Sequence, residues 1–237
     1  MGSDFRLLGV RIDQVDWAQV DSFCATSLAQ KHKNFIVTLN GEIALKASKN
    51  LLLKEAINQA GLVIPDSTNI VWAGRMKGGR FKERTPGSDL VMRLCALASE
   101  NDYSVFLLGG SDDVAKDASE VLIRRFPDLR IVGVSPADPD DLAAVTAVRD
   151  ARPDILFIAY GSPKQELWLK DHLEELPITL GVGIGGTFDM IAGRLPRAPK
   201  IFQALSLEWL WRLILQPTRW RRIWNSVVIF PLKILFS

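Results

Sequence analysis

The chain has 237 residues, of which 48% are hydrophobic and 24% charged, a composition that fits one globular core with an appendage and excludes two full enzyme domains. Two cysteines, Cys24 and Cys95, give no disulfide framework or cysteine metal site and favour buried thiols in a reducing compartment. The net charge of +2 is uneven, because five basic residues and no acidic one follow Trp209. Positive charge confined to one apolar tail argues against a nucleic-acid partner.

Short apolar runs alternate with segments of helical periodicity along most of the chain. This alternation predicts an α/β fold, a Rossmann-like three-layer arrangement with a mostly parallel sheet whose ligand loops lie at the carboxyl ends of the strands. Ser111 is expected to cap the helix that follows it. The strands are expected at 35–39, 62–64, 104–109, 130–134, 154–161 and 178–183, and the helices at 51–60, 88–100, 111–126, 139–151 and 164–175.

Polar residues follow the first two of these strands. Thr38 and Asn40 end the run TLN, and Asp66 follows a strand and a proline in LVIPD. Asp66 is explained equally well as a surface turn or helix cap and as a functional carboxylate. In the second case it could act as a general base, for which we expect an ordinary aspartate pKa of ~3.9.

The stretch GSPKQE follows the fifth expected strand and opens a helix. Gly161 would form a tight turn, while Lys164 and Gln165 lie in the first helical turn. Free backbone amides there, together with the lysine, could hold an anion or a nucleotide. Glu166 in the same turn is also explained by its favourable interaction with the helix dipole.

A second glycine turn, LGGSDDV, contains Gly109 and Gly110 between a strand and a helix. It could face a phosphate group in the same way. Asp112 and Asp113 in its first helical turn would repel phosphate, which favours ordinary helix capping over anion binding. The two glycines are retained as substrate-binding candidates.

No motif in the chain indicates a metal or another cofactor. The sequence DPD at 138–140 has the spacing of a D-x-D metal motif, but it precedes a helix and is better explained as a cap. His32 and His172 are isolated from each other and from other ligand residues. We therefore expect a site without a metal.

The stretch GVGIGGTFDMIAGRLPRAP, residues 181–199, spells G-x-G-x-x-G at Gly181, Gly183 and Gly186. This is the pattern of a dinucleotide-binding turn, so an NAD-dependent oxidoreductase is an alternative function. The pattern follows the last strand, however, and nearby glycine and prolines shorten the helix that such a site needs. Glu208, at about the distance of a ribose-binding acid, lies in the tail.

The same stretch fits a sugar-nucleotide site. Small residues at Gly185 and Gly186 would let a ligand approach the backbone closely, with Asp189 reaching into the pocket. Arg197 would mark the hinge to the tail, because strand-like runs cease around Pro196 to Pro199. We therefore divide the chain into a catalytic body, residues 1–196, and a helical appendage, residues 197–237.

The appendage mixes tryptophan and arginine with aliphatic residues, as does a helix lying in a membrane interface. Its last apolar run, VVIFPLKILF, is too short to span a bilayer, which needs ~20 residues. Membrane docking is favoured over a terminal helix packed on the core, and for Val227–Phe236 both options stay open. A non-catalytic peripheral membrane protein is a further alternative. Four of the seven tryptophans lie here, at Trp209, Trp211, Trp220 and Trp224.

Seven motifs in order, from about Phe5 to Ile223, together resemble the WecG/TagA/CpsF family of bacterial glycosyltransferases. They are TLNGEI, LVIPDSTNIVWAGR, ERTPGSDL, FLLGG, PDILFIAYGSPKQELWL, GVGIGGTFDMIAGRLPRAPK and LEWLWRLILQPTRWRR. The resemblance implies a metal-independent, inverting transfer of a sugar from a UDP-sugar to a sugar linked to polyprenyl (undecaprenyl) diphosphate. It further implies peripheral attachment at the cytoplasmic face of the membrane, consistent with the absence of a secretion signal in MGSDFRLLGVRID.

The resemblance also assigns roles to individual residues. It makes Asp66 the base, with Thr38 and Asn40 at the reaction centre. Contacts to the donor or acceptor are implied for Arg84, Gln165 and Asp189, and closure over the diphosphate for Arg212, Arg219 and Arg222, with Arg221 as an additional candidate. The tail arginines would then stabilise the leaving group in place of a metal.

Two departures from the family pattern leave questions open. Ser67 stands where many relatives have glycine, and the extension Val227–Phe236 lies outside the motif. Donor choice therefore stays open among UDP-N-acetylmannosamine, its uronic acid and UDP-hexoses such as glucose or glucuronic acid. The acceptor, the polymer pathway and the formation of a homo-oligomer are open as well.

Overall fold

A computed structural model describes residues 5–111, 113–196, 198–199, 201–202 and 207–236. Its strands are β1 (Arg6–Leu7), β2 (Val10–Arg11), β3 (Asn34–Leu39), β4 (Leu62–Pro65), β5 (Ser104–Gly109), β6 (Arg130–Ser135), β7 (Ile155–Ala159) and β8 (Leu180–Gly183). The helices of the body are α1 (Trp17–Ala29), α2 (Gly41–Ala47), α3 (Leu51–Gln59), α4 (Thr68–Met76), α5 (Gly87–Asn101), α6 (Val114–Arg125), α7 (Leu142–Ala151), α8 (Lys164–His172) and α9 (Thr187–Ile191).

Strands β3 to β8 form one parallel sheet in the order β4-β3-β8-β7-β5-β6, while β1 and β2 form a small antiparallel hairpin. All six strands expected from the sequence are present, so the predicted α/β fold is confirmed. Continuous apolar runs form these strands because both faces of the sheet are covered, and every residue of β5 is buried. Parallel pairing brings the carboxyl ends of the strands to one edge.

Neighbouring apolar residues of β3, β4, β5 and β7 enter different cores, as the alternation of side chains across a strand requires. On one face, Val37 of β3 packs with residues of α2, α3, α7 and α8. On the other face, Ile36 packs with residues of α1, α5 and α6. The sheet is therefore the middle layer of three.

The glycine pattern at 181–186 has a packing explanation. Gly181 and Gly183 lie inside β8, where a Cβ atom would come within 2.4 Å of Leu169 Cδ2 and 2.7 Å of Gln165 Nε2, respectively. Their absent side chains let α8 lie close to the sheet. The helix that follows, α9, has only five residues. The stretch is therefore not a dinucleotide-binding turn, and the NAD alternative is wrong.

Two expected helix caps differ from those observed. Helix α6 begins at Val114 after Asp113, so Ser111 does not cap it, and Asp112 lies outside the described residues. Helix α7 is capped by Asp141, whose side chain accepts a hydrogen bond from the Ala143 amide at 2.8 Å. The cap thus falls one residue after the DPD sequence, because the helix starts later than the apolar pattern indicated.

The appendage, called the tail below, contains α10 (Glu208–Leu215), a short 3-10 turn (Pro217–Arg219) and α11 (Trp220–Trp224). Helix α11 continues through a π-helical segment (Asn225–Ile229) into α12 (Phe230–Leu235). Arg197, the expected hinge, lies outside the described residues. Within the part of the chain that the structure describes, no helix has the length and apolar character needed to cross a membrane.

One face of the tail packs on the body. Phe230 and Ile234 are buried in the core that contains α2 and α4. Gly41, the first residue of α2, makes room for this contact, since a Cβ atom there would lie 2.9 Å from the Phe230 ring. The open question about Val227–Phe236 is thereby answered in part, because this segment docks on the body through two of its side chains.

Another face of the tail is exposed. Trp220, Trp224 and Phe236 have exposed fractions of 55%, 54% and 87%. Arg221 lies over the Trp220 ring, with its guanidinium carbon 5.3 Å from the ring centroid. The tail therefore combines a buried apolar face with an aromatic, cationic face that remains accessible.

Candidate active site

A cavity of 990 Å³ lies at the carboxyl ends of the parallel strands. The loops after β3, β4, β5, β7 and β8 form its floor, and the tail helices form its roof. With the exception of the additional candidate Arg221, the structure brings the site residues expected from the sequence to this one cavity: Thr38, Asn40, Asp66, Arg84, Gly109, Gly110, Gly161, Lys164, Gln165, Gly185, Gly186, Asp189, Arg212, Arg219 and Arg222.

Asp66 lies in the floor, directly after β4. Its Oδ1 accepts a hydrogen bond of 2.7 Å from the amide of Gly87, the first residue of α5. Burial raises the pKa of Asp66 to about 6, although the Gly87 amide, the Arg84 charge and a hydrogen bond from the Asn40 side chain favour the ionised form. The expected ordinary pKa is therefore wrong, because desolvation outweighs these contacts.

Thr38 and Asn40 position the floor around this carboxylate. The Thr38 hydroxyl donates to the carbonyl of Gly183 at 3.0 Å and so joins the ends of β3 and β8. Asn40 caps α2, because its Oδ1 accepts a hydrogen bond from the Ile43 amide at 3.1 Å. With its oxygen held by the helix, the Asn40 amide group faces Asp66.

Gln165 is buried and joins two loops of the floor. Its Oε1 accepts hydrogen bonds from the amides of Gly161 at 3.1 Å and Gly185 at 3.0 Å, while its Nε2 donates to Glu166 at 3.0 Å. These contacts use both ends of the side-chain amide. The geometry therefore favours a positioning role for Gln165 over the direct substrate contact implied by the resemblance.

Glycines expose backbone to the cavity at the ends of β5, β7 and β8. Gly109, Gly110, Gly161 and Gly185 all have positive φ angles, a conformation that residues with side chains rarely adopt. At Gly161 and Gly185 a Cβ atom would meet nothing within 4 Å. A ligand can therefore approach the backbone closely at both positions.

Lys164 lies at the rim of the cavity, at the start of α8. Its ammonium group is 4.0 Å from a carboxylate oxygen of Asp140, and both side chains are exposed. Nearby, the Tyr160 hydroxyl donates to the carbonyl of Ala137 at 2.9 Å and holds the β6–α7 loop against β7. This side of the cavity therefore carries an exposed cation beside a loop that is hydrogen-bonded to Tyr160.

Arg84 connects the floor to the roof. Its guanidinium makes a bidentate ion pair with Glu208 of α10, at 2.6 and 2.8 Å. Glu208, the residue that could have bound a ribose in an NAD enzyme, thus pairs with an arginine 124 positions away. The ion pair holds the start of α10 beside Asp66.

Arg212 and Arg219 lie side by side in the roof. A Cβ atom on Gly186 would be 3.2 Å from Arg212 Nη2 and 3.9 Å from Arg219 Nη2, which places both guanidinium groups beside this turn. Among the described residues, neither has an ion-pair partner, and Arg212 Nε has no hydrogen-bond partner. Burial lowers the pKa of both groups, as does charge repulsion between neighbouring arginines, while Asp189 opposes the shift.

An anion would satisfy this arrangement. Two closely spaced, partly buried guanidinium groups repel each other, and their pKa stays below its ordinary value although the carboxylates of Asp189, Asp66 and Glu42 act in the opposite direction. A diphosphate group between them would add charge-assisted hydrogen bonds. The roof is therefore suited to bind phosphate oxygens.

Arg222 differs from the other two arginines because its charge is already paired. Its Nε donates to both carboxylate oxygens of Glu42, at 2.9 and 3.0 Å. Glu42 also pairs with Lys46 at 2.7 Å, and Lys46 donates to the carbonyl of Ser162 at 2.9 Å. Although burial acts to raise it, these cations hold the pKa of Glu42 below its ordinary value. Arg222 thus fastens α11 to the floor.

Several residues that line the cavity were not predicted as site residues from the sequence. Glu42, Asn69, Trp72 and Glu208 all line it, and Asn69 donates to the Ser226 carbonyl at 2.7 Å. A signal existed for three of them, because Glu42 follows Asn40 in the first turn of α2, while Asn69 and Trp72 follow Asp66 at helical spacing. Arg221 does not belong to the set of described residues that line the cavity.

Within the described ranges, no group of three or more His, Cys, Asp or Glu side chains is arranged to hold a metal ion.

Comparison with known proteins agrees with the motifs. The sequence profile of the glycosyl transferase WecG/TagA/CpsF family matches residues 5–237. A Staphylococcus aureus (strain NCTC 8325 / PS 47) protein named N-acetylglucosaminyldiphosphoundecaprenol N-acetyl-beta-D-mannosaminyltransferase is 33% identical over 233 residues, covering 96% of this chain and 91% of the relative. A Bacillus spizizenii protein of the same name is 32% identical over 219 residues, covering 90% and 85%.

Proposed function

This chain belongs to the WecG/TagA/CpsF family and is a glycosyltransferase, and from that premise we propose that it transfers a hexose from a UDP-sugar to a sugar on polyprenyl diphosphate. The names of the two relatives specify an N-acetylmannosaminyl group and an N-acetylglucosaminyl-diphosphoundecaprenol acceptor. We infer an N-acetylmannosamine-type donor as the first candidate and other hexoses as the alternatives. The product would serve the synthesis of a cell-surface polysaccharide or teichoic acid.

One observation carries this proposal: the Asp66 carboxylate, with its raised pKa, shares a single cavity with Arg212 and Arg219, which have no ion-pair partner among the described residues. Asp66 is close enough to Arg212 for its negative charge to favour the charged form of the guanidinium. Glycosyl transfer needs both groups, a base for the acceptor hydroxyl and positive charge for the leaving diphosphate. The arrangement thus matches the two demands of the reaction.

In the proposed reaction, Asp66 accepts the proton of the acceptor hydroxyl as its oxygen attacks the anomeric carbon. The bond between that carbon and the UDP oxygen breaks on the opposite face, so the anomeric configuration is inverted. UDP leaves with the electron pair of this bond. A base with a pKa of about 6 is mostly ionised at neutral pH and is a stronger proton acceptor than an ordinary aspartate.

We place the leaving diphosphate against Arg212 and Arg219. These side chains stand beside Gly186, which follows β8 by three residues and lines the cavity. Preorganised positive charge at the leaving group lowers the barrier because it needs no rearrangement during the reaction. We further propose that these two arginines provide this charge without a divalent cation.

The nucleoside of the donor would lie over the glycine turns after β5 and β7. Gly109, Gly110 and Gly161 leave backbone accessible there, and Lys164 stands at the rim. These turns lie across the cavity from α4 and the tail. The space beside α4 and the tail is therefore left for the acceptor. Asp66 lies on the acceptor side, as a base for its hydroxyl must.

We propose that the enzyme works at the cytoplasmic face of the cell membrane, attached through the appendage of residues 197–237. Trp220, Trp224 and Phe236 are exposed on the tail, and Arg221 lies beside the first of them. Aromatic and cationic side chains of this kind suit a membrane interface with anionic lipids. Tail attachment would hold the cavity near a lipid-linked acceptor.

A donor panel tests the proposed function. The protein is incubated with N-acetylglucosaminyl-diphosphoundecaprenol and, in turn, UDP-N-acetylmannosamine, its uronic acid, UDP-glucose and UDP-glucuronic acid, in the presence of a chelator. Release of UDP, together with a new disaccharide-lipid of inverted configuration, is expected with one of these donors. Absence of transfer from every donor, in protein that binds UDP, would overturn the assignment of substrates.

A further inference from the structure

The roof of the cavity changes in character along the tail. Arg219 and Arg222 face the cavity at one end, and Ile223, Val227 and Pro231 face it further along. The three apolar residues are spaced by four and are only partly buried, so they leave apolar surface open to the cavity. From Arg219 to Pro231 a helix rises about 18 Å, at about 1.5 Å per residue.

The facing wall, helix α4, changes in the same direction. Its first turn presents the polar residues Thr68 and Asn69 to the cavity, and its second turn presents Trp72. The indole of Trp72 is 38% exposed even though it lies between the body and the tail. Trp72, Ile223, Val227 and Pro231 therefore form one apolar surface, called the apolar wall below.

The apolar wall leads out of the cavity toward exposed apolar residues. Beyond Pro231, the side chains of Leu232, Leu235 and Phe236 are exposed at the end of the tail. Asn69 fixes the spacing between the two sides, because its amide donates to the Ser226 carbonyl at 2.7 Å and to the Ser226 hydroxyl at 3.0 Å. These hydrogen bonds fix the tail against α4 where both elements line the cavity.

The order of these surfaces matches the order of groups in one class of molecule. Asp66 lies in the floor, Arg219 and Arg222 line the roof, and the apolar wall continues along the tail from these arginines. A lipid-linked sugar has a hydroxyl, a diphosphate and a hydrocarbon chain in the same sequence. The polar groups of a nucleoside and the hydroxyls of a sugar would both lack hydrogen-bond partners at the apolar wall.

We propose that the apolar wall binds the first isoprene units of the acceptor's polyprenyl chain. This inference rests on the proposed function and names a subsite for its acceptor. Burying the chain against Trp72 and Val227 strengthens binding through the hydrophobic effect, which grows with the apolar area removed from water. The wall thus selects a prenyl diphosphate over a diphosphate without a chain.

Binding of two soluble probes tests the proposal without any sugar transfer. Calorimetric titration compares farnesyl diphosphate with inorganic diphosphate on the full-length protein. We expect farnesyl diphosphate to bind at least about tenfold more tightly, which corresponds to ~1.4 kcal/mol. Equal affinities of the two probes would overturn the proposal.

Matched variants locate the preference. Trp72→Ala and Val227→Ser are expected to remove most of the preference for farnesyl diphosphate while leaving the affinity for inorganic diphosphate unchanged. Met76→Ala and Ile229→Ala remove exposed apolar side chains from the same two elements, outside the set of described residues lining the cavity, and should retain the preference. Retention in both wall variants, or loss in the two controls instead, would contradict the proposal.

The outcome is separable from that of the proposed function. A protein that prefers farnesyl diphosphate through Trp72 but transfers no sugar would support the subsite and overturn the reaction. A protein that transfers sugar equally well to prenyl-linked and short-alkyl-linked acceptors, with no effect of Trp72→Ala on the KM of either, would support the reaction and overturn the subsite.

Discussion

The floor and the roof of the cavity are held in place by different forces. The floor is formed by loops that leave buried parallel strands, and its polar groups are fixed by hydrogen bonds such as those of Gln165 to Gly161 and Gly185. The roof is fixed by two packed side chains, Phe230 and Ile234, and by ion pairs at its edges. We therefore expect activity to depend on the exact positions of polar atoms in the floor, and on the positive charge of side chains in the roof.

The comparison also separates the three arginines of the roof. Arg222 forms an ion pair with Glu42, whereas Arg212 and Arg219 face the cavity with no ion-pair partner among the described residues. We therefore assign substrate charge to the latter two and attachment of the tail to the first. The resemblance alone gave all three the same role.

A large effect is expected from removing Arg212 and Arg219, the roof arginines that have no ion-pair partner among the described residues. The double variant Arg212→Ala/Arg219→Ala should lower kcat by at least about 100- to 1,000-fold, the range for loss of one electrostatic contact to a transition state. Steady-state kinetics of UDP release measures it. Arg221→Ala is the control, since its guanidinium lies over Trp220, and a soluble short-chain acceptor keeps membrane binding out of the comparison. A similar loss in both variants would show that general tail charge matters instead.

The protonation of Asp66 in the floor should determine how kcat/KM depends on pH. Because burial raises the pKa of Asp66 to about 6, the base is protonated and inactive below that pH. The value of kcat/KM should therefore fall about tenfold per pH unit below pH 6 and level off above it. An enzyme with full activity at pH 5 would show that its base has an ordinary aspartate pKa, which is about 3.9.

A smaller effect is expected where floor and roof meet. Glu42→Gln weakens the contact with Arg222 and should raise the KM for the acceptor by about two- to fivefold, because partly exposed ion pairs contribute up to about 1 kcal/mol. The value of kcat should change little. Asp21→Asn serves as the control, because it breaks the exposed Asp21–Arg93 pair, and neither residue is among the described residues that line the cavity. A large loss of kcat in Glu42→Gln would instead place Arg222 at the reacting groups.

The sequence predicted the floor well for a physical reason. Buried parallel strands are continuous apolar runs, and the polar residues that follow them must meet at one edge of the sheet. This rule predicts Thr38, Asn40 and Asp66 at the edge of the sheet. Their individual hydrogen bonds, and the raised pKa of Asp66, depend on burial that a local pattern does not record.

The roof could be predicted only in part. The arginines of the tail were identified, but their partners are distant in the chain: Glu42 lies 180 positions before Arg222, and Glu208 lies 124 positions after Arg84. The glycine spacing at Gly181 and Gly183 misled for a related reason, because it reflects the close approach of Leu169 and Gln165 from α8. Such packing is a property of the fold and leaves no local signal.

The most direct test of the account is the substitution Asp66→Asn, followed by two measurements on the same protein. The account predicts that kcat for transfer falls by about 100- to 10,000-fold, the usual contribution of a general base, while the Kd for UDP stays within about twofold of the original value. Asparagine keeps the size of the side chain and can still accept the hydrogen bond from the Gly87 amide. Transfer at the original rate would contradict the central claim that Asp66 is the base.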